Sequence, residues 1–160
     1  MAIKIYAVGG TIDKVYFDQK SEYQVGEPEI ADILKEANIT FEYDCESIMR
    51  KDSLDLTDAD RQYILETIQA DKSERILITH GTDTMVETAQ KLESITDKVI
   101  VLTGAISPAR FKTTDAPFNV GFAVAALRLL PPGVYIAMHG RIFNPHKVVK
   151  NRELNRFEEL

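Results

Sequence analysis

Short apolar runs, each closed by a glycine-containing turn, constrain the fold of this chain more than any other feature of its sequence. They span residues 2–8, 75–79, 99–102 and 134–138, and a glycine follows each run within two residues. Segments with helical spacing lie between them. Runs that are apolar on both faces are typical of buried parallel strands connected by crossover helices. The pattern predicts an α/β fold: a Rossmann-like three-layer α/β/α arrangement with a mostly parallel sheet.

The remaining segments give further predictions of local structure. Residues 9–28 show no regular period and are predicted to form a long loop, a kind of segment that often covers an active site. A short helix is predicted near residues 29–37 and a strand near 39–44. Thr57 and Asp60 match a capping box at the start of the next helix. The apolar face of the last helix is predicted to consist of Phe118, Phe122, Ala125 and Leu129.

Composition limits the classes of protein and partner. A length of 160 residues with 44% hydrophobic and 28% charged residues fits one domain over residues 1–160. A net charge of −6 disfavours nucleic acid and anionic membranes as partners. Cys45 is the only cysteine, which excludes an intramolecular disulfide and cysteine-based zinc. The first apolar run is too short for a signal sequence or a membrane span, so a cytoplasmic location is expected.

Polar residues that follow the apolar runs are the first candidates for a site, because ligands bind beyond the carboxyl ends of parallel strands. Thr11 follows Gly9 and Gly10, and Thr82 and Asp83 follow the run at 75–79. Both threonines are therefore expected at the same sheet edge. Each also has a plainer explanation, since a threonine in a turn often bonds its own backbone and Thr82 and Asp83 are ordinary helix-capping residues.

Other polar residues carry weaker signals. His80, His139, His146 and Asp83 have no recognised metal-ligand spacing, so no metal is predicted. The basic segment at residues 147–152 is by default solvated, although a desolvated lysine in it can act as a base. A dinucleotide site is disfavoured because the G-x-G-x-x-G spacing is missing.

Taken together, the motifs resemble the bacterial-type L-asparaginase family, in order and over nearly the whole chain. The matching segments are Gly9-Gly10-Thr11-Ile12, Asp52-Ser53, His80-Gly81-Thr82-Asp83-Thr84-Met85 with Glu87-Thr88, Leu102-Thr103-Gly104-Ala105, and Asp115-Ala116-Pro117-Phe118-Asn119. The resemblance implies the fold of the asparaginase N-terminal domain. It also implies hydrolysis of L-asparagine to L-aspartate and ammonia without a cofactor.

The resemblance further implies a role for each matching residue. Thr11 would attack the side-chain amide carbon, while Thr82, Asp83 and Lys150 would form a hydrogen-bonded group that moves protons. Backbone N–H groups near Thr82 would stabilise the oxyanion. Ser53 and Asp83 would hold the substrate carboxylate and ammonium, in a site bordered by Gly10 and Gly81. The family's lid tyrosine corresponds to Tyr16 or Tyr23, with a slight preference for Tyr16.

The chain also departs from the family pattern. Longer members carry a second, smaller domain that reaches into the neighbouring subunit's site, and this sequence stops at Leu160, so it resembles the short-chain branch. Leu54 stands where many longer members have a polar substrate contact. To cover an otherwise open pocket, we expect a homo-oligomer, a dimer or tetramer. Candidate contact residues are Phe111, Phe143 and Phe157.

Two other functions remain open at this stage. One is an amidase subunit that supplies ammonia to a tRNA-linked amidotransferase, which the lack of an appended domain or basic surface disfavours. The other is a non-catalytic amino-acid-binding regulatory module, which the presence of Thr11, Thr82, Asp83 and Lys150 together disfavours. Ammonia release by the purified protein distinguishes all three.

Overall fold

A six-stranded sheet forms the centre of the computed structural model, which describes residues 2–160. The strands are β1 (Ile3–Gly9), β2 (Lys14–Phe17), β3 (Glu22–Val25), β4 (Tyr43–Lys51), β5 (Arg75–Thr79), β6 (Val99–Thr103), β7 (Gly133–Met138), β8 (Arg141–Phe143), β9 (Val148–Asn151) and β10 (Arg156–Glu159). The helices are α1 (Ile30–Glu36), α2 (Asp58–Ala70), α3 (Met85–Leu92) and α4 (Ala116–Leu129). Short 3₁₀ turns cover Thr11–Asp13, Asp18–Lys20 and Ser53–Asp55.

The order of strands in the central sheet is β4-β1-β5-β6-β7-β8. Neighbouring strands are parallel except for β7 and β8, which form an antiparallel pair. The predicted mostly parallel α/β fold is confirmed. In the part of the chain that the structure describes, no helix has both the length and the apolar character needed to cross a membrane.

Both faces of the sheet are buried, which explains why its strands are apolar on both sides. Along β1, Ile3 and Ile5 pack with residues of α1 and α4, whereas Tyr6 and Val8 pack with residues of α2 and α3. The helix predicted near residues 29–37 is present as α1. The capping box predicted at the start of α2 is also confirmed, because Thr57 and Asp60 bond each other's backbone N–H groups.

The prediction of a long loop over residues 9–28 is wrong. Strands β2 and β3 pair antiparallel within it, with Tyr16 opposite Tyr23, and the turn between them places Ser21 at φ 50°. We call residues 14–25 the hairpin. Most of its residues are exposed or half-buried. Because neither strand needs a buried face, the sequence carries no clear two-residue alternation of apolar and polar side chains.

The strand predicted near residues 39–44 is also misplaced, because β4 runs over Tyr43–Lys51. It is an edge strand with polar residues facing solvent, so it has no continuous apolar run. Its pairing with β1 is irregular: Ala7 lies opposite Ser47, but Gly9 lies opposite Lys51. A two-residue step on β1 therefore matches a four-residue step on β4.

The predicted face of α4 is wrong as well. Phe118 is 62% exposed and Leu129 is 83% exposed. The buried residues are Ala116, Asn119, Val120, Ala123, Ala126 and Leu127. Apolar residues occur all round this helix, so spacing alone does not select the face, and small side chains occupy the side that packs on the sheet.

The C-terminal segment contains a further antiparallel pair, β9 and β10, which the sequence did not predict. Phe143 and Phe157 lie in the core there, 2% and 5% exposed, with ring centroids 6.1 Å apart. The prediction that these two rings lie in a subunit contact is therefore wrong. Phe111, the third residue proposed for that contact, is 42% exposed.

Candidate active site

Three turns meet at the carboxyl edge of the sheet, where glycines allow their backbones to touch. Gly10 has φ 89°, and a Cβ atom there would lie 2.4 Å from the backbone of Gly81. A Cβ atom on Gly81 would lie 2.6 Å from the Cβ of Ser53. The backbone N–H of Gly10 donates to the carbonyl of Lys51 at 2.9 Å. We call Gly10, Ser53 and Gly81 the glycine floor; it brings the turns after β1, β4 and β5 together.

Thr11 lies directly after the floor, at the first position of the 3₁₀ turn Thr11–Asp13. Its carbonyl accepts a hydrogen bond from the N–H of Lys14. Its hydroxyl has no hydrogen-bond partner within residues 2–160 and is partly accessible. The plainer explanation, a turn threonine that bonds its own backbone through the side chain, does not apply.

Thr82, Asp83 and Lys150 form a compact polar cluster beside the floor. The Lys150 ammonium donates to Thr82 Oγ1 at 2.7 Å and to Asp83 Oδ1 at 2.6 Å. The Lys150 side chain is only 10% exposed, and it is held on β9. Thr84 occupies the N-cap of α3 with no side-chain capping bond, so Thr82 and Asp83 do not serve as helix caps.

Ser53 is buried in the turn that follows β4. Its hydroxyl oxygen accepts a hydrogen bond from the N–H of Thr84 at 3.2 Å, and its carbonyl accepts one from the Thr84 hydroxyl at 2.7 Å. Because the Ser53 oxygen acts as an acceptor in this contact, its own proton is free to be donated to a ligand. Leu54 is exposed at the rim beside it.

Asp52 connects this turn to the hairpin, a link that sequence reasoning missed. Its carboxylate pairs with the Lys14 ammonium at 2.9 Å and also accepts from the N–H of Leu54 at 3.2 Å. Burial works against the charged form of Asp52, but the bonds from Lys14 and Leu54 hold its pKa below the usual range. No sequence pattern links these two residues, which lie far apart along the chain.

The two candidate lid tyrosines lie side by side on the hairpin. Tyr16 is 52% exposed and Tyr23 is 51% exposed, and their ring centroids are 5.4 Å apart in an edge-to-face contact. Tyr23 also contacts Phe111, at 5.7 Å. A cavity of about 440 Å³ beside Tyr23 is lined by Lys14, Gln24, Val25, Arg50, Asp52 and Asp55. Both tyrosines are thus equally placed at the surface of the hairpin.

The histidines are all engaged by protein groups. His80 is fully buried, with Nδ1 2.6 Å from the Gly81 carbonyl and Nε2 2.8 Å from Thr88 Oγ1. Burial lowers the pKa of His80 to about 4, so the ring is neutral at pH 7. His139 contacts Asp115, and His146 contacts Glu93. Among residues 2–160, no group of three or more potential ligands is placed to hold a metal ion.

Comparison with known proteins agrees with this arrangement of fold and site. Residues 2–158 match the family model described as the N-terminal domain of asparaginase. The chain is 32% identical over 159 residues to a probable periplasmic L-asparaginase of Haemophilus influenzae, covering 92% of this chain and 46% of that protein. The match to L-asparaginase 2 of Escherichia coli also has 32% identity and the same coverages, 92% and 46%.

Solved structures show the same relationship. The thermostable L-asparaginase from Thermococcus kodakarensis superimposes with a TM-score of 0.86 at 28% identity, covering 100% of this chain and 51% of that chain. Fold and site thus define the class of this protein: an enzyme-like α/β domain with a threonine-aspartate-lysine cluster. The chain belongs to the asparaginase family. It spans about half the length of the curated relatives and solved structures that it matches.

Proposed function

We propose that this protein is an amidohydrolase that converts L-asparagine and water to L-aspartate and ammonia. The observation that carries the proposal is the contact of the Lys150 ammonium with both Thr82 and Asp83, in a turn whose Gly81 backbone lies against Gly10, the residue before Thr11. A hydroxyl nucleophile needs a neighbouring group that removes its proton, and this cluster is a hydrogen-bonded path for one. Membership of the asparaginase family supports the same reaction.

In this proposal Thr11 is the nucleophile. Its oxygen forms a bond to the side-chain amide carbon of asparagine, while its proton passes into the group of Thr82, Asp83 and Lys150. The amide nitrogen takes a proton as its bond to carbon breaks, and ammonia leaves. Water then adds to the acyl carbon, releases L-aspartate and returns the proton to Thr11. Free backbone N–H groups around Thr82 stabilise the oxyanion both when the acyl-enzyme forms and when water hydrolyses it.

The substrate's own charges are held by groups that surround this cluster. The free proton of Ser53 is suited to the α-carboxylate, and Asp83 to the α-ammonium. Because Gly10 and Gly81 carry no side chains, the turns that hold Thr11, Ser53 and Thr82 can approach one another. Tyr16 or Tyr23 closes the site from the hairpin. These assignments follow from the match of each residue to the family motifs and from the contacts described above.

The decisive measurement is ammonia release from L-asparagine by the purified chain. Lys150→Met should remove most of the activity, whereas Lys147→Met should not, because Lys147 is exposed and outside the cluster. Equal and small effects of the two changes would mean that the basic segment only solvates the surface. Binding of L-aspartate without any release of ammonia would instead favour the regulatory module.

A second function has a specific observation in its favour. The chain is 40% identical over 89 residues to one subunit of a glutamyl-tRNA(Gln) amidotransferase of Methanococcus vannielii, covering 52% of this chain and 21% of that protein. An ammonia-supplying subunit would depend on a partner for turnover. Full activity of the chain by itself contradicts that alternative.

We also propose that the working form is a homo-oligomer. The outer face of α4 supports this, since Phe118 and Leu129 are largely exposed and such apolar surfaces mark contacts between proteins. Sedimentation at the dilution used for assay gives the test, with activity measured on the same sample. A fully active species of 18.0 kDa would contradict the proposal.

The cytoplasm remains the proposed location. One solved relative, from Campylobacter jejuni, is described as a probable cytoplasmic L-asparaginase, while the Haemophilus influenzae relative is described as periplasmic. Fractionation of the source cells, with immunodetection of the chain, distinguishes the two compartments.

A further inference from the structure

A series of hydrogen bonds runs from the surface of α2 through the core to the backbone of the candidate site. Arg61 Nε lies 3.2 Å from Thr88 Oγ1, and Thr88 Oγ1 lies 2.8 Å from His80 Nε2. His80 Nδ1 then lies 2.6 Å from the carbonyl oxygen of Gly81. His80 and Thr88 are both fully buried. None of these three side chains belongs to the group that the proposed reaction uses.

Donor and acceptor chemistry fixes the direction of this series. The Gly81 carbonyl can only accept, so Nδ1 of the neutral His80 ring carries the proton and Nε2 is an acceptor. The Thr88 hydroxyl must then donate to Nε2, and its oxygen is left to accept from Arg61. Burial lowers the pKa of His80 despite the opposing bond to the Gly81 carbonyl, the positive charge of Arg61 adds a smaller lowering, and the ring stays neutral. Every polar side-chain atom of His80 and Thr88 therefore has a partner.

The last bond sets the orientation of one peptide unit. In a trans peptide the C=O and N–H groups point in opposite directions. Because the Gly81 carbonyl points at His80, the N–H of Thr82 points away from it. Within residues 2–160 no acceptor takes that N–H, which leaves it available to a ligand. A flipped peptide would present a carbonyl oxygen there, which repels a developing oxyanion.

Arg61 also reaches the segment that follows the Ser53 turn. Its Nη1 donates to the carbonyl of Leu56 at 3.4 Å, just after the turn that holds Ser53. One guanidinium group thus braces both the Ser53 turn and the Gly81–Thr82 peptide. Neither of these contacts involves a side chain of the group that the proposed reaction uses.

We infer that Arg61, Thr88 and His80 are positioning residues, which hold the Gly81–Thr82 peptide so that the Thr82 N–H faces the reacting oxygen. The inference rests on the proposed hydrolysis of asparagine. It adds residues that act through the backbone and touch neither substrate nor nucleophile. Loss of their hydrogen bonds should lower kcat far more than it raises KM, because the oriented N–H matters most when the oxyanion forms.

The test compares three threonine variants with the native protein. Thr88→Val removes the hydroxyl at nearly constant volume, Thr88→Ser keeps a hydroxyl, and Thr67→Val is the matched control. Thr67 also makes a side-chain hydrogen bond, to the carbonyl of Tyr63 at 2.8 Å, but lies outside the series. We expect Thr88→Val to lower kcat about 10- to 100-fold with a KM change within about threefold, as for a misaligned reacting group. Thr88→Ser should recover most of kcat, and Thr67→Val should leave it unchanged.

An amide NMR measurement separates this inference from the proposed reaction. The ¹H–¹⁵N signal of Thr82 should shift in Thr88→Val and stay in place in Thr67→Val. If the native protein hydrolyses no asparagine, the reaction proposal fails, while this signal still tests the peptide's orientation. A folded Thr88→Val protein with an unmoved Thr82 signal overturns the inference. The inference is also overturned if Thr88→Val keeps the native kcat and only its unfolding temperature falls.

Discussion

The glycine floor and the hairpin flank the same threonine but are built in opposite ways. At the floor, backbones approach so closely that a single Cβ on Gly10 or Gly81 would overlap its neighbour. The hairpin, by contrast, is mostly exposed, and its principal link to the turn beneath it is the partly exposed pair of Lys14 and Asp52. In the proposed reaction, the atoms that must keep their geometry belong to the closely packed floor. We expect closure over a substrate to fall to the exposed hairpin, which has few packed contacts to break.

The largest expected effect comes from removing the hydroxyl groups above the floor. Thr11→Ala and Thr82→Val should each lower turnover by at least about 100-fold while leaving the fold intact, as for loss of a nucleophile or a proton-relay member. Circular dichroism and the asparaginase assay on the same preparations provide the measurement. A near-native rate for either purified variant would remove that residue from the mechanism.

The next effect contrasts two glycines. Gly10→Ala should lower activity about 10- to 100-fold, because the new Cβ would lie 2.4 Å from the backbone of Gly81 and displace the turns. Gly26→Ala is the matched control at the base of the hairpin, where the nearest atom to the new Cβ would belong to the Val15 side chain, at 3.1 Å. Similar rates for the two variants would show that the floor is less rigid than its contacts indicate.

A smaller effect is expected from loosening the hairpin. Lys14→Met removes the ion pair with Asp52, and we expect it to raise KM about two- to fivefold, since a partly exposed pair contributes about 1 kcal/mol or less. Hydrogen exchange over residues 12–27 should slow when L-aspartate binds, and less so in this variant. Lys20→Met, at the exposed turn of the hairpin, is the control. Unchanged protection of the native segment on binding L-aspartate would argue against a lid.

The last prediction concerns stability, with the smallest expected effect on turnover. It involves the buried carboxyl group of Asp13, at the base of the hairpin. Burial raises the pKa of Asp13 to about 7, opposing the hydrogen bond that it accepts from the N–H of Glu29. Between about pH 4 and pH 7 the unfolded chain is therefore ionised at Asp13 while the folded chain keeps the proton. The free energy of unfolding should consequently fall as pH rises through this window, by an amount on the order of 2–4 kcal/mol.

Asp13→Asn should flatten that dependence, and the exposed Asp18→Asn should not. Denaturant unfolding at several pH values measures both. The same slope in native and Asp13→Asn proteins would show that Asp13 ionises in the folded state as it does in water.

The sequence predicted the closely packed part of the site better than the exposed hairpin. Buried parallel strands such as β5 and β6 are evident as apolar runs, and the turns after them can be assigned to one sheet edge from the sequence alone. The hairpin carries no such signal because neither of its faces is buried. Position along the chain also says nothing about contacts such as Lys14 with Asp52, or His80 with Thr88. Those contacts depend on side-chain direction, which only the packed structure defines.

The uneven pairing of β1 with β4 separates a stretch of free length from one of fixed length. Between Ser47 and Lys51, β4 uses two more residues than β1 does opposite them. Deleting two of those residues would leave Lys51 opposite Gly9, so the Ser53 turn would keep its place. The step from Lys51 to Ser53 has no spare residue, because the Lys51 carbonyl accepts from the Gly10 N–H and Ser53 lies against Gly81. In evolutionary terms, insertions and deletions should be tolerated before Lys51 and at the turn of the hairpin near Ser21, and be selected against between Lys51 and Ser53.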